Sequence, residues 1–197
     1  GTRAPGPFRF LVAGKIGAHQ TYRLTRAIEA LGLLEDRQAE LVIAGVIDPM
    51  ARGAAEDAAK RSDVAHRLTW RGPYDRQTAP ALYQSADAFV TLTHQDACPS
   101  AVIEAMASGL AVVHPASGGT PELVGSTGAA IPAHEDWEEQ VIPAAEAVAE
   151  AMASVQSNHG LLAQSARARA VENFDIRPWI ERQQALFQTL LVGRAAR

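Results

Sequence analysis

Residues 88–125, AFVTLTHQDACPSAVIEAMASGLAVVHPASGGTPELVG, constrain the fold more than any other stretch. They open with a β-prone apolar run, Ala88-Phe89-Val90-Thr91-Leu92, short enough to be a buried strand. A polar loop follows over 93–99. Residues 100–108 have helical composition, and Gly109 stands where a left-handed residue would end that helix. Leu110-Ala111-Val112-Val113 reads as the next strand. Strand, loop, helix and strand make one βαβ crossover, with parallel strands and a right-handed connection. Ligands on such sheets sit at the carboxyl ends of the strands, where the loop 94–99 would lie.

Two acids bracket the loop and helix: Asp96 on the loop and Glu104 at about the second helical turn. Between them, Ser100 and Ala101 begin the helix, with backbone N–H groups free to meet an anion. Carboxylate, amides and carboxylate in that order suit a ligand with hydroxyls at each end and phosphates between, the pattern of a nucleotide sugar.

Residues 96–109, DACPSAVIEAMASG, then an apolar strand and Gly118-Gly119-Thr120-Pro121-Glu122, resemble the E-x7-E segment of family 4 retaining glycosyltransferases of the GT-B fold. The usual form is E-G-x-P-x-x-x-x-E-A-M-A-x-G, an apolar strand and G-G-x-x-E; here Asp96 replaces the first Glu, one methylene shorter. The resemblance is most specific over 98–122 and runs loosely over 8–191. It implies an α/β fold: a Rossmann-like parallel sheet with helices on both faces, plus C-terminal helices. It implies the donor-binding half of an enzyme that moves a sugar to a glycan, lipid or small-molecule acceptor.

By the same resemblance, Glu104 would hydrogen-bond the donor ribose and Asp96 would face the transferred sugar's hydroxyls. Amides near Ser100 and Ala101 would hold the diphosphate, and His94 and Cys98 lie in the same donor loop. Gly14-Lys15 stands where the family has a G-R motif. Lys15 would offset charge developing on the leaving nucleoside diphosphate, without the bidentate fork of Arg. His19 or Gln20 takes the place of a family Lys, and Gly72 falls in the loop bordering the nucleobase. The substrate would be a nucleoside diphosphate sugar, such as a UDP- or GDP-sugar, with no metal cofactor. An N-terminal domain of similar size, absent from this sequence, would bind the acceptor, complete the cleft and be the route to any peripheral membrane association. This chain alone would then bind donor without transferring sugar. Two other readings fit the same residues: a sugar-nucleotide-binding module without transferase activity, and another GT-B enzyme such as a nucleotide-sugar 2-epimerase.

Length and charge agree with one domain. A chain of 197 residues can bury roughly 70% of its unfolded surface without a disulfide or metal staple. Its single cysteine, Cys98, permits no internal disulfide and fits a reducing, cytoplasmic setting. A net charge of −4, spread without long runs, argues against a nucleic-acid surface. No apolar run reaches the ~20 residues of a membrane span, and no signal peptide is visible. No Asp-x-Asp, Cys-x-x-Cys or His pair has metal-ligand spacing. The chain begins with Gly1 rather than Met, as an excised piece would.

Along the rest of the chain, residues 1–7 read as linker, and 8–13 as a first strand ending at Gly14-Lys15-Ile16-Gly17. A helix is predicted over 20–31, with Leu24, Ala27, Ile28 and Leu31 at helical spacing. Strands follow at 41–46 and 68–71, with a helix over 48–60 capped by Asp48-Pro49. Residues 78–86 should be helical with Leu82 and Tyr83 on the apolar side, and 128–132 a short last strand. Beyond the acidic segment 135–139, closing helices are expected from about 143: 143–155, 160–173 and 178–192. The last should turn Trp179, Leu186, Leu190 and Leu191 toward a core. Trp70 and Trp137 read as packing residues, and His19 and His114 as surface or core histidines.

Overall fold

The computed structural model describes residues 6–134, 136 and 138–195, with side chains as far as residue 191 in the last helix. Trp137, Glu135 and most of the 1–7 linker lie outside the described residues. The chain alternates β1 (Arg9–Ile16), α1 (Tyr22–Leu33), β2 (Glu40–Ile47), α2 (Pro49–Arg61), β3 (Leu68–Trp70), α3 (Ala79–Gln84), β4 (Ala88–Val90), α4 (Ser100–Ala107), β5 (Ala111–Pro115), α5 (Thr120–Val124) and β6 (Ala129–Ile131). Helices α6 (Ala145–Ser157), α7 (His159–Asn173) and α8 (Ile176–Ala195) close it. The six strands form one sheet in the order β3-β2-β1-β4-β5-β6, and every pairing is parallel.

This is the expected Rossmann-like architecture. Side chains alternate across each strand, so β1 feeds two cores. Phe10, Val12 and Ile16 pack with α1, α2 and α6, whereas Leu11 and Ala13 pack with Tyr83 of α3, Val102 and Met106 of α4 and Ala166 of α7. The central strands are buried on both faces, which is why they read as continuous apolar runs. The strand order reverses between β1 and β4, and a crevice opens at the carboxyl ends of such a pair.

Local signals hold at two helix ends. Gly109 adopts φ +82 after α4, where its N–H reaches the Met106 carbonyl and that of Leu110 the Ala105 carbonyl. Asp48 caps α2, its Oδ1 accepting from the Met50 N–H over 2.8 Å.

The ending differs from expectation. Trp179, Leu186, Leu190 and Leu191 of α8 are 51%, 51%, 59% and 68% exposed, so they enter no core of this chain. The physical reason is saturation: α1, α2 and α6 already cover one face of the sheet, and α3, α4 and α7 the other. A helix arriving last finds no open apolar face. Helix α6 also begins at Ala145, because Ala144 is still extended (φ −66, ψ 145), which leaves Pro143 before the first turn. Helix α1 begins at Tyr22, after a separate 3-10 turn over Ala18–Gln20.

Candidate functional site

The crevice between β1 and β4 is built from the β1–α1 turn, the β4–α4 loop and the first turns of α3 and α4. At the end of β1, Gly14 adopts φ +128 and faces Gly45 of β2 (φ +116). A β-carbon on Gly45 would stand 2.0 Å from the Gly14 carbonyl oxygen, so β2 approaches β1 here only without a side chain at Gly45. Lys15 follows with an exposed side chain. Beneath it lies Arg23 of α1, 8% exposed, whose Nη1 donates to the Lys15 carbonyl (3.2 Å) and to Gln20 Oε1 (3.5 Å). Gln20 Oε1 also accepts from the Gly17 N–H at 3.4 Å. Burial pushes the Arg23 guanidinium below its usual range, opposed by Tyr22, Asp96 and Tyr74.

The β4–α4 loop is held at both ends. His94 N–H donates to the Tyr22 hydroxyl at 3.3 Å, which also accepts from Gln140 Nε2 at 3.2 Å. Gln95 sits at φ +49 with its N–H 3.4 Å from Ser117 Oγ, a conformation non-glycine residues adopt only under constraint. The Asp96 carbonyl accepts from the Gly119 N–H at 2.9 Å, and Asp96 Oδ1 from the Cys98 N–H at 3.2 Å. Gly118 and Gly119 allow this approach: β-carbons there would lie 2.6 Å from the Asp96 carbonyl oxygen and 1.9 Å from that of Ala97.

Helix α4 starts at Ser100 with no side-chain cap, which leaves first-turn N–H groups to a ligand or water. Glu104 follows one turn later and is exposed. Its Oε2 accepts from the hydroxyl of buried Tyr83 at 3.0 Å. Burial, with Tyr74 and Glu104 adding to it, pushes the Tyr83 phenol far above its usual range, so it remains a donor.

Gly14, Ser100, Ala101 and Glu104 line one cleft of about 900 Å3, together with Tyr74, Asp75, Arg76 and Tyr83. Lys15 adjoins it through Gly14. Asp96 lies on the neighbouring loop, half-buried, and Gln20 beneath the β1–α1 turn. His94 is half-buried, with Nε2 3.2 Å from the Asp136 carbonyl oxygen, and Cys98 is exposed. Gly72 lines a separate groove of about 460 Å3 with Arg52 and Trp70, where the Arg52 guanidinium stacks 4.4 Å from the Trp70 ring centroid. Among the described residues, no three His, Cys, Asp or Glu side chains gather as a metal site would require.

Sequence reasoning missed Arg23, Tyr83 as a polar partner, and Tyr74. Arg23 carried a signal: it stands four residues before Ala27 and eight before Leu31, on the buried stripe of α1. Tyr83 gave none, because a tyrosine on an apolar face reads as packing.

A sequence model described as "Glycosyl transferases group 1" matches residues 7–158, more than three quarters of the chain. The chain belongs to the glycosyl transferases group 1 family. A curated D-inositol 3-phosphate glycosyltransferase from Mycobacteroides abscessus is 33% identical over 92 residues, covering 45% of this chain and 21% of its own length. Among solved structures, sucrose-phosphate synthase from Thermosynechococcus elongatus superposes with TM-score 0.73 at 21% identity, over 95% of this chain and 46% of that one. The C-terminal domain of a glycosyl transferase group 1 family protein (LpcC) from Francisella tularensis gives 0.69 at 19%, over 87% and 88%. The group 1 chain described here thus spans about a fifth of its curated relative and about half of the synthase. Its GT-B-type fold agrees with the architecture anticipated from the 96–122 segment.

Proposed function

We propose that this chain is the donor-binding, C-terminal half of a retaining glycosyltransferase, taking a nucleoside diphosphate sugar such as a UDP- or GDP-sugar. The observation that carries the reading is the cleft in which Glu104, its Oε2 held by Tyr83, shares a wall with the uncapped start of α4 and with Gly14. Glu104 Oε1 is left for ribose hydroxyls. The α4 amides suit the diphosphate, with its charge at the positive end of the helix. Asp96, beyond that helix start, faces the hydroxyls of the sugar. Exposed Lys15 neutralises charge that builds on the departing nucleoside diphosphate as the glycosidic bond breaks.

Two likenesses support the reading. The Francisella structure is a C-terminal domain and is matched over most of its length. An Anabaena protein, HepE, with TM-score 0.72, was solved in complex with UDP-glucose. The acceptor would come on a second domain closing over this cleft, and the exposed apolar residues of α8 suit contact with it. Transfer therefore needs both halves, without a metal ion in the step assigned to Lys15.

Calorimetric titration with UDP, GDP and their sugars tests the reading. Binding of one nucleotide family, weakened at least tenfold by Glu104→Ala, is the expected result. Absence of binding to every nucleotide sugar would refute it, and binding without transfer once the second domain is joined would favour a non-catalytic module.

A further inference from the structure

Two arginines of this chain are buried among the described residues, and they differ in kind. Arg67, 5% exposed, gives Nε to the Ala39 carbonyl at 2.7 Å and Nη2 to the Asp36 carbonyl at 3.0 Å. Its donors are satisfied by the fold. Arg23, 8% exposed, uses only Nη1, and its Nε is buried with no hydrogen-bond partner. Among the described residues no carboxylate lies within ion-pair distance of it. A buried guanidinium is costly unless it is paired, and Asp96 acts on Arg23 only from beyond ion-pair distance, which leaves Nε for an anion from outside the chain.

The surroundings say where that partner arrives. A β-carbon on Gly14 would lie 4.0 Å from Arg23 Nη2, and Gly14 is itself a wall of the Glu104 cleft, so only a glycine separates the guanidinium from it. A further buried donor without a partner, Gln95 Nε2, belongs to the loop that follows β4. That loop is tied to Tyr22, the residue before Arg23, by the His94 N–H. Unsatisfied polar atoms thus flank the β1/β4 crevice on both sides. An anionic group rich in acceptor oxygens would complete them.

Resting on the nucleotide-sugar reading of the cleft, we propose that Arg23 binds the diphosphate of the donor through Nη2 and Nε, the edge turned away from the Lys15 carbonyl. A guanidinium edge matches two phosphate oxygens in a bidentate pair. The site then holds two cations with different tasks: Arg23 buried and fixed, Lys15 exposed and mobile.

Titration of the wild-type chain, Arg23→Met and Arg23→Lys with UDP, GDP, the two nucleosides and inorganic pyrophosphate tests this. In the wild type the preferred diphosphate binds at least tenfold more tightly than its nucleoside, and pyrophosphate binds. In Arg23→Met that preference falls ten- to a hundredfold while nucleoside affinity is unchanged, and the ligand-free melting temperature is equal or higher. Arg23→Lys recovers part of the preference. In the wild type, the Arg23 Nε–H resonance moves when pyrophosphate is added, a readout that needs no variant to fold. A diphosphate preference unchanged in Arg23→Met, an unmoved resonance, or equal loss of nucleoside and diphosphate overturns the proposal and leaves the nucleotide-sugar reading standing. Pyrophosphate binding that depends on Arg23, with no nucleotide bound at all, supports the anion site and refutes that reading instead.

Discussion

The Tyr83 hydroxyl donates to Glu104 Oε2 over 3.0 Å, so one carboxylate oxygen of the cleft is committed before a ligand arrives. Tyr83 is held in turn by ring contacts with Tyr74 and Phe89, at centroid distances of 6.5 and 6.0 Å. A residue of the buried core therefore fixes the rotamer of an exposed acid.

Tyr83→Phe keeps those ring contacts and removes the donor. Affinity for the best nucleotide should fall about three- to tenfold, the scale of one hydrogen bond. Preference for the ribonucleotide over its 2′-deoxy form should shrink with it. Glu104→Ala should cost more, on the order of ten- to a hundredfold, with Glu104→Gln between. Since Glu104 is exposed and Ala favours helices, the melting temperature should barely move in Glu104→Ala. Unchanged titrations in both Tyr83→Phe and Glu104→Ala would make Glu104 an ordinary surface acid.

Gly119→Ala places a β-carbon 1.9 Å from the Ala97 carbonyl oxygen, so the loop bearing Asp96 must retreat. Stability should fall by roughly 1–3 kcal/mol, as for overpacking elsewhere, and nucleotide-sugar affinity should fall with it. Gly53→Ala, in α2 with nothing within 4 Å of the new carbon, should instead stabilise by about 0.5–1 kcal/mol. Urea unfolding of the two variants checks both signs.

His114 on β5 is buried, and burial pushes its imidazole below the usual range against the opposing contact with the Pro115 carbonyl. The folded state therefore disfavours its protonation, while the unfolded chain takes the proton near pH 6.5. Stability from this residue is complete above that pH and is lost as pH falls below it, by up to about 1.4 kcal/mol per pH unit. Melting temperature between pH 7 and 5.5 should decline more gently in His114→Leu than in the wild type. Parallel slopes would assign the acid sensitivity elsewhere.

Leu190 and Leu191 of α8 are solvated in this chain, so Leu190→Gln and Leu191→Gln should change its stability by less than about 0.5 kcal/mol each. Thermal melts decide this directly. A loss of several kcal/mol would show these leucines packing against the chain itself.

Strand identity was legible because β1, β2, β4 and β5 are buried on both faces and leave apolar runs bounded by glycine or polar turns. The strand, loop and helix that carry Asp96 and Glu104 were legible in residues 88–109, while the ligand they would hold belongs to the function proposed above. What stayed hidden depends on which faces are already covered. Leu186 and Leu190 look like core residues until α4 and α7 are seen to occupy the face they would need. Arg23 shared the buried stripe of α1 with Ala27 and Leu31, but the cleft behind Gly14 that gives it meaning was hidden, and Gly118 and Gly119 show their purpose only when Asp96 and Ala97 lie against them.

The place of β1 in the sheet bears on the order in which the molecule can be made. During synthesis, β1, β2 and β3 emerge first and can pair as a unit, yet the second edge of β1 stays bare until residue 88 has left the ribosome. The Arg9 N–H then closes on the Asp87 carboxylate, 78 residues away, at 2.8 Å. An open edge held that long invites pairing with a neighbouring chain, and closing it is a high-contact-order step that should be slow. Pulse-labelled hydrogen exchange during refolding should protect β2 amides before those of β4. The Glu104 cleft, lined by Gly14 of β1 and by residues of α3 and α4, would form only after β1 has gained its second neighbour.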